Sequence, residues 1–323
     1  MNRICIIVTV MHRRSFLAAA AAVVTPAATA IPIIDTHIHL FDPRRPEGIP
    51  WPPKTDSVRY KPALPERYVA LTRKHNVVGA VEVECSPLFE DNQWVLDIEA
   101  PAPIMVGMIG NLNPADPKFS SQLDTFTRNP LYLGIRYGNL WGTVLGEQLD
   151  KSGFVPGLKN FADRGLILDV ANPTLPLLAD VRRASDLVPN LRLMIDHLPG
   201  MPIPETAADK AKRAELYKDL GARKQIYVKG SAVLRKPNGV LNTDSKSYFA
   251  HLDELWSVFG EDRMVYGSDW PNSDGLGSYD QVLKVVQDYM ATKPRAVAEK
   301  YFWKNSRAAY RWKPRSAEQK KLA

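Results

Sequence analysis

Apolar residues along this chain fall into short, β-rich runs separated by longer stretches of helical period. Strand-like runs occupy 33–39, 77–84, 104–109, 132–136, 166–170, 191–196, 226–230 and 264–267. Between them, apolar positions recur at three- and four-residue spacing over 66–75, 92–99, 118–127, 174–188, 209–220, 247–259 and 278–290. The helix starts have chemical reasons. Pro65 suits the first helical position, where no N–H is needed, and Asp244 or Ser245 can cap the helix that runs to Phe259. Eight strands alternating with helices predict a parallel sheet with crossover helices, and eight is the number that closes a (β/α)8 TIM barrel. The competing architecture, an open doubly wound sheet, usually carries a Gly-rich phosphate turn after its first strand, and that turn is absent here.

No repeat or low-complexity linker divides the body, so residues 31–313 are expected to form one barrel domain, followed by a basic, solvated tail over 314–323. With 45% hydrophobic and 24% charged residues in 323, the chain has ample material for a large core. The net charge of +7 includes Arg3, Arg13 and Arg14 in a leading segment without acids. What remains is a mild, scattered excess with no stripe of basic and aromatic residues, which excludes a nucleic-acid surface. Cys5 and Cys85 are the only cysteines. A body holding one cysteine has no internal disulfide and no multi-cysteine zinc site, which leaves His, Asp and Glu as metal ligands.

Residues 1–30 have the composition of an export address. Arg13-Arg14, an apolar segment of about a dozen residues and Ala28-Thr29-Ala30 are the parts of a twin-arginine signal, cleaved before Ile31. The apolar run is shorter than the ~20 residues of a membrane span. A periplasmic or secreted mature protein is therefore expected, with no membrane span of its own.

Chemistry in a barrel gathers at the C-terminal ends of strands. The first strand ends Asp35-Thr36-His37-Ile38-His39, and period two puts Asp35, His37 and His39 on one face, Ile34 and Ile38 on the other. Two imidazoles on one face can grip a single metal ion. The eighth strand leads into Gly267-Ser268-Asp269-Trp270-Pro271, where a carboxylate can ligate metal, accept a proton from water, or cap a turn. His197, after the sixth strand, can bind metal or polarise a carbonyl. Arg136, ending the fourth, suits a substrate carboxylate or neutralises an acid inside the barrel. Glu82 and Glu84 alternate on the second strand as further inward candidates. Asp169 ends the fifth strand, and Lys229 sits in the seventh as an ion-pair partner or a catalytic group. The proline-rich segment 41–64 is long enough to be functional. Its Trp51 and Tyr60, with Trp141, are candidates to line a substrate pocket.

Several of these motifs coincide with a known pattern. Residues 34–43, Asp196-His197-Leu198, Gly267-Ser268-Asp269-Trp270-Pro271, Ile49-Pro50-Trp51-Pro52, Gly134-Ile135-Arg136 and Asn305-Ser306-Arg307-Ala308-Ala309-Tyr310 resemble the amidohydrolase-related family. Within it they are similar to the branch of sugar lactonases and 2-pyrone-4,6-dicarboxylate lactonases. The resemblance spans about 33–312. It implies a TIM barrel that opens a cyclic ester, with His37, His39, His197 and Asp269 in the active site and Arg136 on the substrate. It implies either one divalent ion, zinc or manganese, on His37, His39 and Asp269, or metal-independent catalysis. The fifth strand lacks the histidine of binuclear relatives, and the fourth lacks their bridging lysine, which argues against a two-metal centre. The substrate is expected to be a small anionic or polyhydroxylated molecule. Two other readings compete: a metal-dependent decarboxylase of an aromatic or unsaturated acid, and a barrel that binds without catalysis.

Overall fold

The structure is a computed structural model that describes residues 30–322. The twin-arginine motif and residues 28–29 of the expected cleavage site lie outside the described residues. Eight strands form: β1 (Ile33–Ile38), β2 (Val77–Val83), β3 (Met105–Gly110), β4 (Tyr132–Gly138), β5 (Ile167–Ala171), β6 (Arg192–Ile195), β7 (Ile226–Gly230) and β8 (Met264–Tyr266). Each pairs in parallel with the next in chain order. β8 returns to β1 through a parallel bridge between Ile38 and Trp270. Two 2.8 Å backbone bonds flank it, Asp269 N–H to His37 C=O and His39 N–H to Trp270 C=O. The sheet is therefore a closed (β/α)8 TIM barrel and not an open doubly wound sheet.

Local chemistry starts the helices where it should. Pro65 opens helix Pro65–Thr72, and the Thr174 hydroxyl accepts from Leu177 N–H at the head of Leu175–Leu187. Between β4 and β5, where no helix is expected, two short ones form, Leu145–Leu149 and Phe154–Asp163. Gly146, Gly153 and Gly157 interrupt their periodicity. Gly157 is required by a close approach, since a Cβ there would lie 2.1 Å from the Pro114 carbonyl oxygen.

The apolar interior has two parts. Inside the barrel, Ile34, Val81, Val83, Val106, Leu133, Ile167, Met194 and Val265 pack on one another and on Tyr310 and Trp312. A larger cluster, including Ile33 and Ile38, lies between strands and helices. Ile34 and Ile38 thus face opposite sides, contrary to the period-two expectation. The cause is a bulge: from Asp35 to Ile38 three steps of β1 run against two of β2. The same bulge turns Asp35 away from His37 and His39. Its Oδ2 accepts from Tyr68 Oη at 2.8 Å and Tyr279 Oη at 3.3 Å, both on outer helices. Its Oδ1 accepts from the backbone N–H of Ser268 at 2.8 Å and of His37 at 3.2 Å. Asp35 is a clasp joining β1, the turn after β8 and two helices.

The expectation of a solvated C-terminal tail is also corrected. Arg315 donates to the carbonyls of Glu99, Ala102 and Met105 at 2.8–3.1 Å. The fully buried Gln319 donates to those of Val78 and Pro103 at 2.8 Å. These carbonyls flank the starts of β2 and β3, so the basic run closes the lower end of the barrel. Its charge count suggested solvation, but guanidinium and carboxamide donors were needed by backbone acceptors.

Glu82 does not face the barrel interior either. It points toward helix Asp91–Glu99; both Glu82 and Glu99 are fully buried, and the carboxyl oxygens of Glu99 lack hydrogen-bond partners among the described residues. Burial, then the charge of Glu99, pushes Glu82 well above the usual carboxyl range, and burial pushes Glu99 up as well. The folded state therefore binds these protons more tightly than the unfolded chain. Stability is fully present below the ordinary glutamate value and is lost as pH rises through the folded values. Melting temperature should therefore fall as pH rises above the ordinary glutamate range. The double variant Glu82→Gln/Glu99→Gln should flatten that fall in thermal denaturation. An unchanged slope would place its origin elsewhere.

Candidate active site

The end of β1, the turn after β6 and the turn after β8 bring His37, His39, His197 and Asp269 together at the C-terminal face of the barrel. Three ring nitrogens surround one carboxylate oxygen. Asp269 Oδ1 lies 3.3 Å from His39 Nε2, 3.7 Å from His37 Nε2 and 3.8 Å from His197 Nε2. The other Asp269 oxygen accepts from Asn272 Nδ2 at 2.9 Å. The His37 ring centroid is 4.9 Å from that of His39 and 4.4 Å from that of His197. Asp269 and His197 both adopt left-handed backbone angles, φ 62° and 56°, which a non-glycine residue seldom takes and which turn each side chain toward the barrel axis.

Beneath them lies a charged layer that the sequence shows only as separate residues. Lys229 Nζ is fully buried and lies 2.7 Å from Asp169 Oδ2, 2.8 Å from Asp196 Oδ1 and 3.1 Å from His37 Nδ1. Tyr310 Oη donates to Asp169 Oδ2 at 2.9 Å. Asp169, expected as a further site residue, therefore sits in this lower layer against Lys229 and not at the mouth. The period of β5 allowed an inward side chain but not its depth.

A cavity of about 240 Å³ opens above the histidines, with His39, His197 and Asp269 lining its floor. Trp51 stands edge-on to His39 at 5.5 Å and forms one wall. Tyr60 is not among the lining residues. Its neighbour Arg59 does the work of the loop, bonding Asp56 Oδ2 at 2.6 Å and Asn272 Oδ1 at 2.7 Å, and so tying the 41–64 segment to the residue that holds Asp269. Arg136 and Trp141 form the opposite wall. Arg136 Nε donates to Glu84 Oε1 at 2.9 Å, an Nη bonds the Glu84 carbonyl, and Trp141 Nε1 donates to Glu84 Oε2 at 3.1 Å. Glu84 thus holds the two wall residues in place and does not reach the histidines. Arg136 neutralises a glutamate, as one of its two readings expected, and also lines the cavity.

The electrostatics favour an ionised Asp269 carboxylate beside neutral His37 and His197 rings. Burial, then Lys229 and His197, lowers His37 well below the ordinary histidine value, and burial lowers His197 as well. Burial alone would raise Asp269, but the surrounding imidazoles outweigh it and hold the group below the usual carboxylate range. Asp196 is likewise held well down by Lys229 and His37 against its desolvation, while burial pushes Asp169 up to about 7.

The donor set fits a divalent cation. Among the described residues, two groups place ligand atoms within 4.8 Å of one another: His37, His39 and Asp269, and His37, Asp196 and His197. His39 Nδ1 sits 2.7 Å from the Val83 carbonyl, so it carries a proton and a neutral ring leaves a lone pair on Nε2. That lone pair faces a carboxylate oxygen at 3.3 Å, an arrangement that calls for a cation between them, either a proton or a metal ion.

A family model described as amidohydrolase matches residues 34–312. The chain is 25% identical over 249 residues to an L-fucono-1,5-lactonase of Burkholderia ambifaria, spanning 76% of this chain and 82% of the relative. Among solved structures, it is similar to an amidohydrolase from Burkholderia multivorans with bound Zn (TM-score 0.75, 20% identity, 87% of this chain and 100% of that one). It is also similar to a probable 2-pyrone-4,6-dicarboxylic acid hydrolase from Acinetobacter baumannii with citric acid bound (TM-score 0.67, 18% identity, 87% and 99%).

Proposed function

The chain belongs to the amidohydrolase family of hydrolases, and from that premise we propose that it opens the ring of a lactone derived from a sugar acid or a dicarboxylate. The observation that carries this reading is the convergence of three imidazole Nε2 atoms on one Asp269 oxygen, at 3.3–3.8 Å, beside a cavity whose floor is lined by His39, His197 and Asp269. The lactonase and pyrone-dicarboxylate relatives support the substrate class.

The residues divide the work. Asp269, ionised, accepts a proton from water as the water oxygen adds to the lactone carbonyl carbon. The imidazoles around it face the carbonyl oxygen, where negative charge grows, and stabilise it there. The ring C–O bond then breaks, and the proton passes to the leaving alkoxide, giving a hydroxy acid. Trp51 shields one side of the site from bulk water, and Arg136 meets an anionic or hydroxyl group of the substrate. A divalent ion, as in the Zn-bound relative, would be held by His39 and Asp269 with a neighbouring imidazole and would supply Lewis acidity and a more acidic water.

The test is acid release in a pH-stat from a panel of five- and six-membered sugar lactones, run beside carbon dioxide release from aromatic and unsaturated acids. Acid release from at least one lactone, with no carbon dioxide, is expected. Carbon dioxide release without lactone opening would favour the decarboxylase reading.

A further inference from the structure

We infer that Lys229 sets the tautomer of His37 and makes its Nε2 a hydrogen-bond donor rather than a lone pair. An ammonium has three N–H donors and no acceptor. Lys229 Nζ has three partners at bonding distance: Asp169 Oδ2 at 2.7 Å, Asp196 Oδ1 at 2.8 Å and His37 Nδ1 at 3.1 Å. The ammonium has no lone pair to accept with, so in the 3.1 Å contact the acceptor must be His37 Nδ1. His37 Nδ1 therefore offers its lone pair to Lys229, and the neutral ring carries its proton on Nε2.

His39 is wired in the opposite sense. Its Nδ1 faces the Val83 carbonyl at 2.7 Å and must donate, which leaves Nε2 a lone pair. The two histidines of one motif thus present different groups to the same site, an N–H from His37 and a lone pair from His39. His37 Nε2 is buried and has no hydrogen-bond partner among the described residues. At 3.7 Å from Asp269 Oδ1 it is too far for a good bond to that oxygen. It is a donor held ready for an atom the protein does not supply. In the lactone-opening reading, on which this consequence rests, that atom is the carbonyl oxygen.

Lys229 touches no substrate and is a positioning residue. Its placement is built in. A Cβ at position 267 would lie 2.8 Å from His37 Cβ and 3.1 Å from Lys229 Cγ, so Gly267 lets the two side chains lie together. Tyr310, from the segment that closes the lower end of the barrel, fixes Asp169 beneath.

The test is a two-bond ¹⁵N–¹H correlation spectrum of the full chain as purified, labelled in histidine, with the His37 signals identified by their loss in His37→Gln. The protonated nitrogen of His37 is expected to correlate with both ring C–H protons, as Nε2 does. Correlation with the proton between the nitrogens alone would place the proton on Nδ1 and overturn the inference. In Lys229→Met/Asp169→Asn, which removes one charge of each sign, the proton should move to Nδ1 and face Asp196. Lactone turnover should then fall about 10²–10³-fold with KM little changed, the pattern of a lost transition-state donor. A switch in tautomer without loss of turnover would remove the catalytic consequence. If the double variant does not fold, the wild-type spectrum alone decides the tautomer. If the wild type opens no lactone, the functional reading fails while the spectrum still decides.

Discussion

Asp269→Asn is expected to lower turnover on any lactone the protein hydrolyses by about 10²–10⁴-fold, the usual range for losing a general base. The substitution keeps size and shape. The oxygen that accepts from Asn272 can be retained, while the group facing the three imidazoles no longer takes a proton. The effect should fall on kcat more than on KM, because the lost interaction strengthens as water is deprotonated. The barrel should remain folded, since the substitution keeps the size of the side chain and its bond to Asn272. Titration with zinc or manganese separates the two roles of Asp269. Recovery on added metal marks it as a ligand, and a loss insensitive to metal and chelator marks it as the base alone. Wild-type turnover in the variant would reduce Asp269 to a turn-forming residue.

The largest effect on stability should come from Asp35, which reaches neither the cavity nor its floor. Asp35→Ala leaves two buried tyrosine hydroxyls and the Ser268 N–H without their acceptor. Each orphaned group costs about 1–3 kcal/mol, so a loss on the order of 3–5 kcal/mol is expected. For a domain of this size that corresponds to a melting temperature lower by roughly 6–15 °C. Tyr68→Phe and Tyr279→Phe, which remove one bond each, should cost less. Thermal denaturation at a fixed scan rate reads this directly. A drop no larger than that of either tyrosine variant would mean that the clasp does not join β1 to the helices as described.

Asp35 also marks where sequence reading stops. All eight strands were legible, because alternating apolar runs report burial on both faces. The strand-end positions of His37, His39, His197 and Asp269 followed from that count. Period two could not reveal the bulge after Asp35, since a bulge is one extra residue in an unchanged string, and it reversed the side on which Ile34 and Asp35 lie. Tyr60 drew attention as an aromatic in a functional loop, yet the contact to the site runs through Arg59 and Asn272, a pairing across 213 positions that spacing does not show. Lys229, Asp169 and Asp196 were visible singly. Their meeting depends on strands β5, β6 and β7 placing three inward side chains at one depth, and depth inside a barrel is not a periodic property. The charge of the C-terminal residues predicts solvation, whereas their structural role comes from hydrogen-bond donors that meet open carbonyls at the starts of two strands.

In the proposed reaction, water attacks a cyclic ester at the Asp269 centre. The most direct measurement is single-turnover hydrolysis of an accepted lactone in ¹⁸O-water, followed by mass spectrometry of the opened hydroxy acid. One ¹⁸O atom should appear in the new carboxylate, none in the released hydroxyl, and Asp269→Asn should abolish the labelling on the same time scale. Label in the hydroxyl, or unlabelled product accompanied by carbon dioxide, would contradict the account.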